Sequence, residues 1–257
     1  MAKFLVTAEV LQTVQLNPTV WLMEVQAPEI AGSAKPGQFV TVHAGRSTDP
    51  MLRRPFGVAE VNREKGSVTL MYRVIGEATK AMAALKAGDS ISVLGPLGRG
   101  FNTGAKHPLI VGGGLGLAPL LFLAEDGFGD GRADLLIGGR NAVETEYWQR
   151  IYAGKAGKIF VTTDDGSLGT KGTVMAELEK LLQQDYDCVY VCGPVPMMRA
   201  VAEAVLAAGK ACQVSLERYM ACGLGACLSC ACENARGQRV KVCQNGPVFA
   251  AEEVKEW

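Results

Sequence analysis

Cys222, Cys227, Cys230 and Cys232 fall within eleven residues in ERYMACGLGACLSCACE, and Cys243 follows in KVCQNGPVF. The first three form C-x4-C-x2-C, and twelve residues separate Cys230 from Cys243, which is the plant-type spacing for a [2Fe-2S] cluster. Two irons need four thiolates, and a loop that supplies three of them has to curl around the inorganic core. Gly223 and Gly225 stand where backbone amides must approach the sulfides, and Gly246 and Pro247 turn the chain away after the fourth ligand. A structural zinc site and reactive or disulfide-linked thiols compete for the same sulfurs. Zinc commonly uses paired C-x2-C units, of which only one is present here. Cys232 is the spare thiol: it can replace Cys230 as a ligand, and is read here as buried and free.

A second set of chemistry-bearing residues lies near the amino terminus, in MLRRPFGV, MYRV and GEAT. An arginine before a proline, with an aromatic next, suits a guanidinium pairing with a pyrophosphate while a rigid backbone places an isoalloxazine ring. The alternative is two surface arginines at a strand edge. A third set is LIVGGGLGLAPL, where Gly112, Gly113, Gly114 and Gly116 follow an apolar strand and open a helix, as in a nucleotide-binding turn. Pro119 falls in that helix's first turn, where a missing amide costs little.

These sets need elements to hold them. Residues 4 to about 100 read as short alternating strands, FLVTAEV, TVWLMEVQ, QFVTVHA, SVTLMYRV and SISVLG, which predict an antiparallel barrel or sandwich. TKAMAALKAGD interrupts them as a helix, with Thr79 as N-cap and Gly88 as stop. From residue 108 the runs PLIVGGG, ADLLIGGR, KIFVTTDD, CVYVCGP and CQVSLE are nearly continuously apolar and alternate with helical segments, which predicts a doubly wound parallel sheet. The segments LAPLLFLAED, AVETEYWQRIYA, TVMAELEKLLQ and VPMMRAVAEAVLAAG are its helices. After Ala221 neither period persists, so a small lobe organised by something other than a core is expected. The domains are therefore 1–102 (β-barrel), 103–216 (α/β) and 217–257 (cluster lobe).

Lys plus Arg and Asp plus Glu each number 26, so no basic field exists to concentrate nucleic acid or anionic lipid. No apolar run reaches the roughly 18 to 20 residues of a membrane span, and the opening lacks a signal-peptide pattern, so a cytoplasmic protein is expected. A reducing compartment turns clustered thiols toward metal or redox chemistry. Cys188, Cys192 and Cys212 stand apart and are expected to pack as small apolar side chains. His43 and His107 are the only histidines and neither belongs to a triad-like motif, which disfavours hydrolase chemistry. Asp164 and Asp165 before Gly166 read as a turn rather than a catalytic pair. The lack of a basic cluster there favours NAD over NADP, with Arg140 as the exception.

RRPFGV, GGGLGLAPL, TTDDGSLGTKG, CGPVPMM and the cysteine segment together resemble the ferredoxin-reductase-like flavoproteins, and more narrowly the electron-transfer subunits of dihydroorotate dehydrogenase B complexes, over essentially the whole chain. The resemblance implies that Arg54, Pro55, Phe56 and Gly57 form the first FAD segment, Met71, Tyr72 and Arg73 the second, and Ala78 and Thr79 the third. It also implies that the glycine loop and Cys192, Gly193 and Pro194 line the nicotinamide cleft, with Met197 and Met198 beyond them as cleft or packing residues. Two departures stand out: Gly57 replaces the family's usual Ser or Thr, and Ala78 replaces its Gly.

A nicotinamide exchanges two electrons, an iron–sulfur cluster one, and a flavin either. The expectation is therefore a relay among NAD(H), FAD and the cluster, with no catalytic acid or base from the protein. The resemblance implies an FMN-containing dihydroorotate dehydrogenase subunit as partner, in a heterotetramer of two of each, serving pyrimidine biosynthesis. The alternatives are the small subunit of a bifurcating transhydrogenase or of a hydrogenase diaphorase, and a redox sensor or zinc-stabilised adaptor without turnover. The first two often carry aspartate in place of the first cluster cysteine, which Cys222 argues against.

Overall fold

A computed structural model describes residues 2–44, 51–129 and 131–257. Six strands, β1 (Phe4–Gln15), β2 (Val20–Gln26), β3 (Phe39–His43), β4 (Arg54–Asn62), β5 (Ser67–Arg73) and β6 (Ser90–Leu97), close an antiparallel barrel in the order β1-β2-β5-β4-β3-β6. Alternate residues point inward: Met23 and Val25, Val40 and Val42, and Leu70 and Tyr72 share one core with Val10, Val58 and Val93. Helices α1 (Pro28–Ser33) and α2 (Glu77–Ala84) add Ile30 and Met82 to it.

The helix α1 has no counterpart in the sequence reading, and α2 begins differently from the expectation. Gly76, not Thr79, is the N-cap, and Thr79 is the third helical residue. Its hydroxyl accepts from the amides of Ile75 and Gly76, which satisfies donors ahead of the first turn as a cap would. Gly88, with φ +89°, lies beyond the helix end in a turn whose amide bonds to Val10.

The second sheet has seven strands in the order β10-β9-β8-β7-β11-β12-β15. They are β7 (Pro108–Gly113), β8 (Asp134–Gly139), β9 (Ile159–Thr163), β10 (Thr170–Lys171), β11 (Cys188–Cys192), β12 (Ala211–Ser215) and β15 (Val248–Ala250). All pair in parallel except β15, which runs antiparallel to β12. Strand order reverses between β7 and β11, so the crevice at their carboxyl ends is the switch point where such sheets bind ligands. Helices α3 (Leu117–Phe122) and α4 (Ala142–Tyr152) cover one face, and α5 (Met175–Leu181) and α6 (Val195–Ala207) the other. The expected helix after the glycine loop is shorter than its apolar run, because Leu123–Phe128 continues as π-helical turns.

Met71, on the outward face of β5, shares a core with Leu117, Leu120 and Leu121 of α3, which joins barrel to α/β unit. The last segment contains the hairpin β13 (Ala231–Glu233) and β14 (Arg239–Lys241), then α7 (Val242–Asn245). This lobe does have a core, contrary to expectation. Cys230, Cys232, Val242 and Cys243 merge with the layer that α5 and α6 form on the parallel sheet.

Candidate cofactor cleft and cluster loop

A cavity of about 470 Å³ opens where the three regions meet, within the range of small-molecule sites. The barrel supplies Arg54, Pro55, Phe56, Gly57, Tyr72 and Arg73, and the start of α2 supplies Gly76, Glu77, Ala78 and Thr79. Leu115, Pro119 and Cys192 face them from the α/β unit, and Glu217, Arg218, Met220 and Pro247 from the chain flanking the cysteine loop.

The consecutive arginines divide their work. Arg53 is tied into the barrel wall by bonds to Thr41 O, Ser92 O and Ser92 Oγ. Arg54 faces the cavity, and among the described residues its guanidinium donates to Leu52 O, 2.7 Å away. The first residues of α2 line the same cavity, and the start of a helix favours an anion. Among the described residues the buried Tyr72 hydroxyl has no hydrogen-bond partner, and burial pushes its pKa well above the ordinary value, so it stays a neutral donor. An arginine, a helix start, apolar walls and one orphaned hydroxyl in a cavity of this size fit a flavin dinucleotide. Met71 does not line the cavity, because its side chain takes the opposite face of β5.

The glycines of the loop lie beside this cavity, and Leu115 between them contributes to its wall. Gly112 makes room for Leu117, since a Cβ there would lie 2.3 Å from Leu117 Cδ2. At Gly116 a Cβ would lie 2.5 Å from the Cys192 carbonyl oxygen, and at Gly113 2.7 Å from Met197 Sδ. The loop and the Cys192–Pro194 turn are thus pressed together at the switch point. Gly114, with φ +56°, is next to the Arg73 guanidinium. Met198 is fully buried, so the packing role holds for it.

Sequence reasoning missed Ser215, Glu217 and Arg218. Ser215 ends the parallel strand β12 and the other two follow it, and a strand's carboxyl end was the available signal. The sheltered wall pushes the Glu217 carboxyl above its usual range, with the Arg73 charge opposing. Burial and the Glu217 charge push the Cys192 thiol up to about 12, against bonds from Ser215 and Gly193.

Past β9, Asp165 Oδ1 accepts from Ser167 N and Oγ, closing the expected turn. Arg140 is held by Glu144, which accepts from its Nε at 2.9 Å and also from its Nη2 and backbone amide. His107 pairs with Asp185 at 2.8 Å, on the surface.

The four ligand-spaced cysteines come in two pairs. The Cys227 amide points to Cys222 Sγ at 3.5 Å, and the Cys243 amide to Cys230 Sγ at 3.4 Å. Burial acts to raise the Cys222 pKa, yet amides of Cys227, Leu224 and Ala226 outweigh it and bring the thiol down to about 6. The loop is therefore shaped for anionic sulfur. Among the described residues no three Cys, His, Asp or Glu converge on a single ion. Two pairs of thiolates suit two bridged irons better than one tetrahedral ion. Cys230 and Cys243 are buried, Cys222 is half-buried and Cys227 exposed. Cys232 is buried, with burial raising its pKa and Arg218 opposing.

Residues 217–255 match the iron-sulfur cluster binding domain of dihydroorotate dehydrogenase B, and residues 8–101 the oxidoreductase FAD-binding domain. A dihydroorotate dehydrogenase B (NAD(+)) electron transfer subunit from Fusobacterium nucleatum is 38% identical over 252 residues, 95% of this chain and 96% of its own. Its namesake from Caldanaerobacter subterraneus is 42% identical over 223 residues, covering 85% and 86%. Among solved structures, an NADH-dependent reduced ferredoxin-NADP oxidoreductase chain is 28% identical, with a TM-score of 0.82 over 97% of this chain and 90% of its own. A ferredoxin NADP+ reductase from Neisseria gonorrhoeae shares the fold, with a TM-score of 0.64 at 18% identity, over 80% and 92%. Identity of this order over most of both chains, on a chain that matches both domains, places the protein in the family of dihydroorotate dehydrogenase B electron transfer subunits.

Proposed function

We propose that this chain passes electrons between NAD and a partner dehydrogenase subunit, through FAD in the cleft and a [2Fe-2S] cluster on Cys222, Cys227, Cys230 and Cys243. The observation that carries the reading is the wall shared by the three regions. Cys192 at the nucleotide crevice, the FAD-segment residues of the barrel, and Met220 and Pro247 beside the cluster cysteines all line one cavity. When bound, a flavin there supplies exchange between a two-electron and a one-electron carrier.

The protein's contribution is placement. Arg54 and the first turn of α2 hold the diphosphate, and Tyr72 donates from the barrel wall. Pro119 and Leu115 face the barrel from the α/β side and exclude water from the cleft. The Gly112–Gly116 loop and the Cys192–Pro194 turn receive the nicotinamide nucleotide. In the cluster loop, backbone amides stabilise the thiolates, and exposed Tyr219, Leu224 and Leu228 surround its open side, which suits docking of a partner. That partner is an FMN-containing dihydroorotate-oxidising subunit, in a heterotetramer of two of each, in the cytoplasm. Among the described residues no helix is long and apolar enough to cross a membrane.

The test is anaerobic mixing of purified, iron-loaded protein with NADH. Bleaching of flavin absorbance and a paramagnetic signal from the reduced cluster are expected, and colourless, iron-free protein that oxidises no NADH with an artificial acceptor overturns the reading. A second reading, an NAD(P)H:ferredoxin-type subunit, is favoured by the 28% identical structural relative. Co-purification from the native host separates the two, because the bound chain differs.

A further inference from the structure

The Lys241 side chain, at the end of β14, reaches across to the cysteine loop. Its ammonium donates to Gly225 O at 3.0 Å. Gly225 lies between Cys222 and Cys227 and has φ +83°. The far side of that residue is closed as well, since a Cβ there would lie 2.7 Å from Gln244 Oε1. Lys241 also precedes Val242 and Cys243, so one side chain links the strand leading to the fourth cysteine with the loop that carries the first two. Its backbone amide is fixed by Asn245 Oδ1 at 2.9 Å. Lys241 is half-buried and, among the described residues, forms no ion pair. The nearby lobe carboxylate Glu233 is taken by Lys255.

A cation fixed on a carbonyl between two of the cluster cysteines, with no ion-pair partner among the described residues, has a physical consequence. Reduction adds one electron to a core that is already anionic, so a fixed positive charge favours the reduced form and raises the potential. Sulfur-directed amides already stabilise both states, and the ammonium adds a term that grows with the added charge.

We infer that Lys241 is a positioning residue for electron transfer: it staples the ligand loop through Gly225 and holds the cluster potential up through its charge. This rests on the cluster reading above. The experiment compares wild-type, Lys241→Met and Lys241→Arg proteins, each loaded anaerobically with iron and sulfide. Iron content, flavin content and the cluster midpoint potential, from a dye-mediated titration followed by electron paramagnetic resonance, are measured.

The expected result is a Lys241→Met cluster at full iron content with a lower potential than wild type, and Lys241→Arg close to wild type. A Lys241→Met cluster at wild-type potential overturns the inference. Should Lys241→Met keep its flavin but lose iron, retention by Lys241→Arg supports the staple, and loss from both variants overturns it. Wild-type protein that takes up no iron defeats the cluster reading itself and is told apart from the other outcomes on that ground.

Discussion

Gly57 and Pro119 touch across the junction of barrel and α/β unit: a Cβ on Gly57 would lie 2.9 Å from Pro119 Cβ. The hydroxyl-bearing residue usual at this position in ferredoxin-reductase-like proteins has no room here while the proline ring stays. Gly57→Ser is expected to cost about 1–3 kcal/mol through overpacking and to weaken flavin retention. Pro119→Gly, which removes the clashing Cβ, is expected to make the double variant lose less than the sum of the two single changes, because they share one contact. Thermal unfolding and flavin content of the single and double variants check this.

The two arginines before Pro55 separate stability from cofactor binding. Arg53→Met removes three hydrogen bonds that hold β3 and β6 and is expected to lower stability by about 2 kcal/mol. Arg54 donates, among the described residues, only to the Leu52 backbone oxygen, so Arg54→Met is expected to leave stability of the flavin-free protein unchanged and to release FAD. Urea unfolding of flavin-free protein, set beside the fluorescence of released flavin, tells the two effects apart.

Much of this cleft was legible before the fold was known, because its residues sit in motifs whose chemistry is local. Arg54, Tyr72 and Thr79 belong to such motifs, and the barrel strands carry alternation that depends only on one face being buried. What escaped depends on distant neighbours. The helix α1 is six residues long, too short to display a period. Strand β15 has three residues and owes its place to pairing with β12. Glu217 and Arg218 reach the cleft because β12 ends there, and the glycines of the loop are required by Leu117, Met197 and Cys192 as much as by any ligand. Thr79 lies at the expected end of α2 but two residues inside it, and its hydroxyl caps from within the first turn.

Cys222 is expected to behave as the reactive thiol of iron-free protein. Its pKa of about 6 lies below the ordinary 9.0, so it is ionised in the window between those values, where an unperturbed cysteine is protonated. Cys243 is pushed up to about 12, mainly by burial. Iodoacetamide at pH 7 therefore labels Cys222 ahead of Cys243. Because only the thiolate reacts, the Cys222 rate falls about tenfold per pH unit once pH drops below its pKa. Peptide mapping after timed quenching reads both, and equal labelling of the two cysteines would contradict the amide geometry around Cys222 Sγ.

Arg140 is the cation that the sequence analysis singles out near the nucleotide crevice, and its availability bears on the choice between NAD and NADP. Glu144 holds it through Nε, Nη2 and the backbone amide, and the pair keeps Arg140 above and Glu144 below their usual pKa values. Asp164 adds a further negative charge beside Arg140. A 2′-phosphate approaching the carboxyl ends of β8 and β9 therefore meets an occupied guanidinium and the added carboxylate charge of Asp164, which favours a free ribose 2′-hydroxyl. Glu144→Gln is expected to raise the ratio of NADPH to NADH turnover several-fold with little change for NADH, and Asp164→Asn to add to it. Arg140→Ala in the Glu144→Gln background should abolish that gain, because the freed guanidinium is what receives the phosphate. Steady-state diaphorase kinetics with both nucleotides, and titration with 2′-phospho-AMP against AMP, provide the measurement. A ratio that does not move in Glu144→Gln means that the Arg140–Glu144 pair lies outside the nucleotide's path.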